Sequence, residues 1–263
     1  MLPAGSALFL DFDGTLAPIA MRPQDVRVPS WVRPILMRLR PALGNAVAVL
    51  TGRPLAQVDS YLSPLRLPAS GVHGLERRRA DGRIRVHRAD PPAAVVEAMK
   101  ALARKHPSLL LEFKAGAVAL HYRAAPELEA VCREAVAAAL GTNAPGSADG
   151  HADWMLLPGH ALVEVKLRRF SKATALEAFM AEAPFAGRVP VVVGDDLTDE
   201  DAMQAAAAAG GHGVRVGPGA TAARFRLADP AAVGRWLAHS ADALESAGTD
   251  AGTGTAPGKD APR

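Results

Sequence analysis

Five short apolar segments, each of four to six residues, alternate with amphipathic segments along this chain of 263 residues. Segments this short and this apolar are typical of strands that are buried on both faces of a sheet. Because helical periodicity lies between several of them, the sequence predicts an α/β fold with a Rossmann-like parallel-sheet core. The predicted strands cover residues 7–12, 46–50, 67–72, 189–193 and 213–216, and the predicted helices cover 30–40, 55–62 and 173–183.

The middle of the chain has a different pattern. After the pair Pro91-Pro92, two helical segments (93–105 and 126–140) alternate with two hairpins (109–122 and 155–166). Helices packed on antiparallel hairpins predict an α+β cap domain inserted into the core. The predicted division is therefore core 1–88, cap 89–166 and core 167–245. Residues 246–263 lack apolar periodicity and are predicted to be disordered.

Composition and charge exclude several classes of function. The net charge is only +3, and no run of basic residues is interleaved with aromatic ones, which argues against nucleic-acid binding. The basic segment 76–79 is followed by Asp81-Gly82, which predicts a solvated hairpin. No apolar stretch approaches the roughly 20 residues of a membrane helix, and the N-terminus lacks the basic start of a signal peptide. We therefore expect a cytoplasmic monomer that binds neither nucleic acid nor membranes.

Two carboxylates, Asp11 and Asp13, lie at the end of the first predicted strand. Side chains two residues apart on an extended chain point the same way, so these two repel each other unless a cation or a shared proton intervenes. An ordinary acidic turn is one alternative. A calcium loop is another, but its terminal glutamate would fall at Arg22, and the flanking segment is a strand.

Two further motifs suit the binding of an anion. Thr51 follows the second predicted strand, and the backbone N–H groups after it begin a helix, which forms a site for an oxyanion. Lys172 lies in the first turn of a predicted helix, where its charge opposes the helix dipole. The alternatives are a plain turn at Thr51 and an exposed lysine at position 172.

A cluster of acids follows the predicted strand 189–193. We expect Thr198 to be the N-cap of the next helix, so that Asp199 and the two acids after it complement the helix dipole. That explanation leaves out Asp195 and Asp196, which precede the cap. A hard cation with oxygen ligands accounts for them better.

In this order the motifs resemble those of the haloacid dehalogenase phosphatase superfamily, and most closely those of trehalose-6-phosphate phosphatases. The resemblance covers about residues 5–240 and departs from the family in having Ala173, where glycine usually follows the motif lysine. It is carried by the Asp-Phe-Asp-Gly-Thr-Leu run at 11–16 with Ala17-Pro18-Ile19, Thr51-Gly52-Arg53-Pro54, His73-Gly74-Leu75-Glu76, Glu112 with Lys114, His121-Tyr122-Arg123, Lys172, and residues 194–201.

The resemblance implies a fold, an activity and a set of site residues. It implies hydrolysis of trehalose 6-phosphate with Mg²⁺, in which Asp11 is the nucleophile and Asp13 the general acid and then base. Thr51 and Lys172 would bind the transferring phosphoryl group. The metal would be held by Asp11, Asp195 and the backbone carbonyl of Asp13, with Asp199 and Asp196 in support. The candidate residues for binding the sugar phosphate are Arg53, His73, Lys114, Arg123 and Glu164.

Other functions remain open at the level of the sequence. A phosphatase of the same superfamily acting on sucrose phosphate or mannosyl phosphoglycerate is the main alternative, and a relative of phosphomannomutase is a weaker one. A regulatory domain that keeps a phosphate on Asp11 is disfavoured, because a stable acyl-phosphate does not need Asp13. A dinucleotide-binding module is disfavoured because no G-x-G-x-x-G follows the first strand.

Overall fold

The computed structural model of the protein describes residues 1–141, 153–159 and 161–252. Within these residues the chain forms two sheets and seven α-helices. The strands are β1 (Ser6–Leu10), β2 (Val47–Leu50), β3 (Ala69–Gly71), β4 (Glu76–Arg78), β5 (Ile84–Val86), β6 (Leu110–Lys114), β7 (Ala117–His121), β8 (Trp154–Gly159), β9 (Leu162–Leu167), β10 (Val189–Gly194), β11 (His212–Val216) and β12 (Phe225–Leu227). The helices are α1 (Val32–Ala42), α2 (Leu55–Leu62), α3 (Ala93–Lys105), α4 (Glu129–Leu140), α5 (Lys172–Met180), α6 (Leu197–Ala208) and α7 (Pro230–Gly252).

The larger sheet has eight strands in the order β12-β11-β10-β1-β2-β3-β4-β5. The first six of these strands pair in parallel, and the last two add an antiparallel hairpin at the edge. Every residue of β1 and β2 is buried, as expected for apolar strands at the centre of a parallel sheet.

Helices cover both faces of this sheet. On one face, α1, α2 and α7 contribute to a hydrophobic core that includes Leu36, Val58 and Leu237. On the other face, α5 and α6 pack around Phe179 and Met203. The predicted α/β fold with a Rossmann-like core is confirmed.

The smaller sheet is antiparallel, with the strand order β6-β7-β9-β8, and we call it together with α3 and α4 the cap. One face of the cap sheet packs on the two helices through residues such as Val118, Val163, Met99 and Val136. The chain enters the cap after β5 and returns to the core before β10, so the cap is an insertion. The limits 89 and 166 stay predictions, and most of the predicted polar loop (141–150) lies outside the described residues.

The basic hairpin β4–β5 is present, but one of its arginines is not solvated. Arg78 is only 4% exposed, and its Nε donates to the carbonyl of Leu67 at 2.9 Å. Its guanidinium also binds Asp59 of α2 at 2.7 Å. The expectation of a wholly solvated hairpin was wrong because the buried partner comes from an element that is not adjacent in sequence.

The last helix extends into the segment predicted to be disordered. α7 reaches Gly252, so residues 246–252 are helical, while 253–263 lie outside the described residues. Its first turns bury Leu237 and Ala241 in the core, and Arg38 of α1 hydrogen-bonds Glu245 at 2.6 Å. A helix anchored in this way propagates into a polar segment with little further free-energy cost. None of the described helices is both long and apolar enough to cross a membrane.

Candidate active site

The candidate catalytic residues meet at one edge of the core sheet. Asp11 directly follows β1, Thr51 follows β2 and Asp195 follows β10, and these three strands are parallel neighbours. The backbone N–H of Asp11 still donates to the carbonyl of Val193 on β10, at 2.9 Å. Because parallel strands end at the same edge, residues that are distant in sequence converge there.

Two glycines allow the carboxylates to approach one another. A Cβ atom on Gly14 would lie 2.0 Å from Asp195 Oδ2, and one on Gly194 would lie 2.1 Å from Asp199 Cγ. Gly14 also has a φ of +81°, a conformation that other residues rarely adopt. Both glycines are therefore required for the close packing of acids at this edge.

Asp11, Asp195 and Asp199 form what we call the core carboxylate cluster. One oxygen of each lies within 4.8 Å of the others. Burial, together with repulsion from Asp196 and Asp199, raises the pKa of Asp195 to about 7. Burial likewise raises the pKa of Asp11 well above its usual range, against the opposing effect of Lys172. A divalent cation would remove this repulsion, so the donor set fits a metal site.

Lys172 is buried between two of these acids. Its Nζ donates to Asp11 Oδ1 at 2.6 Å and to Asp199 Oδ1 at 2.7 Å. Burial alone would lower the pKa of Lys172, but Asp11 and Asp199 outweigh it and raise that pKa well above its usual range. Ser171, the N-cap of α5, accepts from the N–H of Thr174 and fixes the start of the helix. The alternative of an exposed lysine at this position is excluded.

The N-cap of α6 is Asp196, and the expectation that Thr198 has this role was wrong. Asp196 Oδ1 accepts from the backbone N–H of Thr198 at 2.8 Å and from its hydroxyl at 2.7 Å. Asp199 Oδ2 in turn accepts from the N–H groups of Asp195 and Asp196 at 3.0 and 3.1 Å. An aspartate caps a helix as well as a threonine does, and here it lies two residues closer to the strand.

Two of the candidate metal residues lie outside the cluster of three. The carboxylate of Asp196 is used by the helix cap described above. Both oxygens of Asp13 accept from Arg53, at 2.6 Å from Nε and 2.7 Å from Nη2. The hydroxyl of Thr51 accepts from the backbone N–H of Arg53 at 3.1 Å, and this side chain is 1% exposed. The side chains of Asp13 and Thr51 therefore have Arg53 as their partner, whereas those of Asp11 and Asp199 bind Lys172.

A cavity of about 140 Å³ opens between the core edge and the cap. All five candidate substrate-binding residues line it, although they come from different parts of the chain. The core contributes Arg53 and His73, and the cap contributes Lys114, Arg123 and Glu164. Arg123 also donates a hydrogen bond to the carbonyl of Ala20, which connects the cap to the segment after β1. Asp11, Asp13 and Lys172 form part of the same wall.

The register of the cap sheet explains how its charged side chains meet. Ala119 of β7 lies opposite Glu112 on one side and Glu164 on the other. Because alanine is small, the long side chains of the outer strands can meet above the middle one. Lys114 Nζ donates to Glu164 Oε2 at 2.8 Å across β7. Burial would raise the pKa of Glu164, but Lys114 and His73 outweigh it and lower that pKa.

Two cap residues line the cavity although the sequence analysis assigned them no role of their own. They are Glu112 and His121, and His121 Nε2 lies 2.9 Å from Glu112 Oε2. The sequence did contain a signal for them. Side chains alternate between the two faces of a sheet along β6 and β7, and this alternation places Glu112 and His121 on the face that carries Lys114. We call Glu112, Lys114, His121 and Glu164 the cap charge cluster.

His73 lies where the core meets the cap. Its φ is +52° and its ring packs beside Gly52, where a Cβ would lie 2.6 Å from Nε2. Nε2 is 3.7 Å from Glu164 Oε1, and Nδ1 has no hydrogen-bond partner among the described residues. Burial lowers the pKa of His73 to about 4, so the ring is neutral at neutral pH. A neutral ring in a strained conformation next to a cavity suits the binding of a ligand.

Known proteins resemble this chain along most of its length. A family model described as trehalose-phosphatase matches residues 9–231. The trehalose-6-phosphate phosphatase of Escherichia coli (strain K12) is 40% identical over 246 residues, which cover 93% of this chain and 90% of that protein. A probable trehalose-phosphate phosphatase of Sinorhizobium fredii is 39% identical over 216 residues, with 81% and 78% covered. The C-terminal domain of the C. albicans trehalose-6-phosphate phosphatase has the same fold, with a TM-score of 0.78 at 22% identity and 90% and 93% of the two chains covered.

Proposed function

Because the chain belongs to the trehalose-phosphatase family and is therefore a phosphoric monoester hydrolase, we propose that it hydrolyses trehalose 6-phosphate to trehalose and phosphate through an aspartyl-phosphate on Asp11. The observation that carries this proposal is the arrangement at the core edge. A buried carboxylate faces the cavity, a buried lysine binds it at 2.6 Å, and two more aspartates lie beside it.

The core carboxylate cluster supports the use of Mg²⁺. Asp11 and Asp195 would hold the ion, and Asp199 would stabilise the loop that carries Asp195. When bound, the ion supplies positive charge that offsets the repulsion between the Asp11 carboxylate and the phosphate dianion. The crowding of three carboxylates, of which only two bind a lysine, is the feature of this chain that fits such an ion.

The remaining chemistry is assigned to side chains of the core. Lys172 donates to Asp11 Oδ1 and keeps the carboxylate oriented towards the cavity. An oxygen of Asp11 attacks phosphorus, the bond from phosphorus to the sugar oxygen breaks, and Asp13, which must be protonated when substrate is bound, gives that oxygen its proton. Asp13 then takes a proton from the water that attacks phosphorus and releases inorganic phosphate from Asp11. Arg53, which binds Asp13 at 2.6 Å, lies where it can also contact the incoming phosphate.

The cap supports a sugar as the leaving group. A disaccharide has many hydroxyl groups, and each one that is buried needs a polar partner. Lys114, Arg123 and Glu164 offer donors and acceptors on the wall of the cavity that Asp11 also lines. Glu112, His121 and His73 extend this polar wall, so the cavity has partners for hydroxyls of both hydrogen-bonding signs.

Phosphate release from a panel of substrates tests the proposal. We expect trehalose 6-phosphate to be hydrolysed with a far higher kcat/KM than sucrose 6-phosphate, glucose 6-phosphate or p-nitrophenyl phosphate. Turnover should stop in excess chelator and return when Mg²⁺ is added. Equal efficiency with sucrose 6-phosphate would refute the substrate, and full activity in chelator would refute the role of the metal.

A further inference from the structure

The side chain of Asp195 lacks support of its own. Among the described residues, its carboxylate accepts no hydrogen bond and forms no ion pair, in contrast to the carboxylates of Asp11 and Asp199. Its position therefore depends on the backbone of the turn from Gly194 to Asp196, which joins β10 to α6. Whatever fixes this turn also fixes the geometry of the carboxylate cluster.

The turn is held from two sides. On the side of the cluster, Asp199 Oδ2 accepts from the N–H groups of Asp195 and Asp196 at 3.0 and 3.1 Å. On the opposite side, Arg215 of β11 donates from Nη1 to the carbonyl of Asp196 at 3.1 Å. The N–H groups and the carbonyl of the turn thus bind side chains from two different elements.

Arg215 is itself fixed by a buried partner. The side chains of Arg215 and Glu200 are 12% and 11% exposed, and Nη1 of Arg215 donates to Glu200 Oε1 at 3.1 Å. The other oxygen of Glu200 accepts from the backbone N–H of Ala222 at 3.1 Å, and Nη2 of Arg215 donates to the carbonyl of Pro218 at 3.3 Å. The ion pair therefore joins the turn at Asp195 to the segment after β11.

The two cations near the turn have different partners. Lys172 is bound to Asp11 and Asp199, whereas Arg215 donates to the backbone carbonyl of Asp196. Arg215 can therefore hold the turn without occupying the place of a metal ion.

We propose that the Arg215–Glu200 ion pair is a positioning device for the metal site, holding the turn so that Asp195 is ready to bind the ion before substrate arrives. Neither residue touches substrate or metal. This inference rests on the proposed function, because it takes Asp195 to be a ligand. Partners that orient a metal ligand typically contribute about 10- to 100-fold to metal affinity.

The test is Mg²⁺ binding by the full chain without substrate, measured by isothermal titration calorimetry. Arg215→Gln removes the positive charge and the guanidinium N–H donors. We expect the Kd of this variant for Mg²⁺ to rise about 10-fold or more. Arg215→Lys keeps the charge but has a single nitrogen, which cannot bind Asp196, Glu200 and Pro218 in the same way, so an intermediate rise is expected. At saturating Mg²⁺, kcat should return to within a few-fold of the wild type.

Arg226→Gln is the matched control. Arg226 also lies behind this edge of the sheet and binds the carbonyls of Gly217 and Gly219, but it does not reach the turn at Asp195. This variant has the same change in net charge as Arg215→Gln, and its affinity for Mg²⁺ should equal that of the wild type.

The outcomes separate this inference from the proposed function. If Arg215→Gln binds Mg²⁺ as tightly as the wild type, the positioning role is overturned while the phosphatase proposal stands. If Arg226→Gln weakens binding as much as Arg215→Gln, the effect is one of net charge and the inference also fails. If the wild type does not bind Mg²⁺, the metal part of the proposed function is wrong. Should Arg215→Gln not fold, Arg215→Lys and Glu200→Gln decide in the same assay.

Discussion

The core carboxylate cluster and the cap charge cluster both consist of buried and half-buried side chains, yet their charges are balanced in different ways. The core cluster has three aspartates around Lys172, and burial raises the pKa of Asp11 and of Asp195. In the cap, burial opposes ionisation too, but Lys114 and the other partners lower the pKa of Glu112 and of Glu164. In the core there is one lysine for three carboxylates, whereas in the cap there are a lysine and a histidine for two.

This difference indicates different tasks for the two clusters. Buried carboxylates without enough cations are unfavourable unless an ion or a proton joins them, so the core cluster fits the proposed metal ion. The cap cluster pairs its charges internally, since Lys114 binds Glu164 and His121 binds Glu112, and Glu164 Oε1 is left as a buried oxygen without a hydrogen-bond partner among the described residues. Its groups can exchange these partners for the hydroxyls of a sugar with little change in net charge. Four substitutions test this division of tasks.

The largest effect is expected at the core cluster. Asp11→Asn keeps the size of the side chain but removes the nucleophile, so phosphate release should fall by roughly 10⁴-fold or more. The protein should remain folded, because the loss of one of three crowded carboxylates relieves repulsion. Phosphate release and circular dichroism of the same sample measure both effects. Asp242→Asn on the exposed side of α7 is the control, and near-normal turnover by Asp11→Asn would remove the basis for a covalent mechanism.

A smaller loss is expected at Asp13, which lies beside the cluster but is not part of it. Asp13→Asn should reduce turnover of trehalose 6-phosphate by roughly 10²- to 10⁴-fold, the usual contribution of a general acid or base. With p-nitrophenyl phosphate, whose leaving group does not need a proton, a phosphorylated enzyme should accumulate. Rapid quenching followed by mass spectrometry of the intact chain would detect it. Undiminished turnover of the sugar phosphate would contradict this role.

In the cap, the effect should depend on the substrate. Arg123→Ala removes a charged donor from the cavity wall, and a hydrogen bond to a charged group contributes about 1.5–3 kcal/mol. The kcat/KM for trehalose 6-phosphate should therefore fall about 10- to 100-fold. That for p-nitrophenyl phosphate should change by less than about two-fold, because this substrate does not need the cap.

Arg104→Ala on the exposed side of α3 is the matched control for the cap and should leave both substrates unaffected. An equal loss of kcat/KM on both substrates for Arg123→Ala would mean that the cap does not select the sugar separately from the chemistry at the core. The residue would then act on the core or on folding, because Arg123 also binds the carbonyl of Ala20.

The smallest effect is expected on the pH dependence of the free energy of unfolding, and it concerns His73, which lies where the core meets the cap. His73 has a pKa of about 4 in the folded protein and about 6.5 when unfolded, so between these values the unfolded chain binds a proton that the folded chain does not. The free energy of unfolding should therefore decrease as the pH falls from 6.5 to 4. His73→Gln should reduce this decrease, by at most about 1.4 kcal/mol per pH unit.

Urea denaturation at several pH values between 4 and 7 measures this difference. His239→Gln, at an exposed position on α7, is the control and should follow the wild type. Identical pH dependence in His73→Gln and the wild type would mean that folding does not change the pKa of His73, and would contradict the lowered pKa.

The sequence by itself determined the fold class and the edge of the sheet at which the candidate catalytic residues lie. Apolar strands separated by helices rarely form any sheet other than a parallel one. Residues that directly follow such strands must meet at the carboxyl ends of the strands. Asp11, Thr51 and Asp195 could therefore be placed together from their positions alone. The first half of α7 had a signal as well, in the spacing of Leu237 and Ala241, but the polar composition after residue 246 obscured how far that helix extends.

Only the tertiary structure decided how the charges are shared. Whether Lys172 is exposed or buried, whether Thr198 or Asp196 caps α6, and which acid holds Arg78 depend on partners far away in the chain. The energy of a buried charge is determined by all the groups around it in space, and a local pattern contains only its neighbours in sequence. The strand ends were therefore predictable from the sequence, whereas the Arg215–Glu200 pair behind Asp195 became visible only in the folded protein.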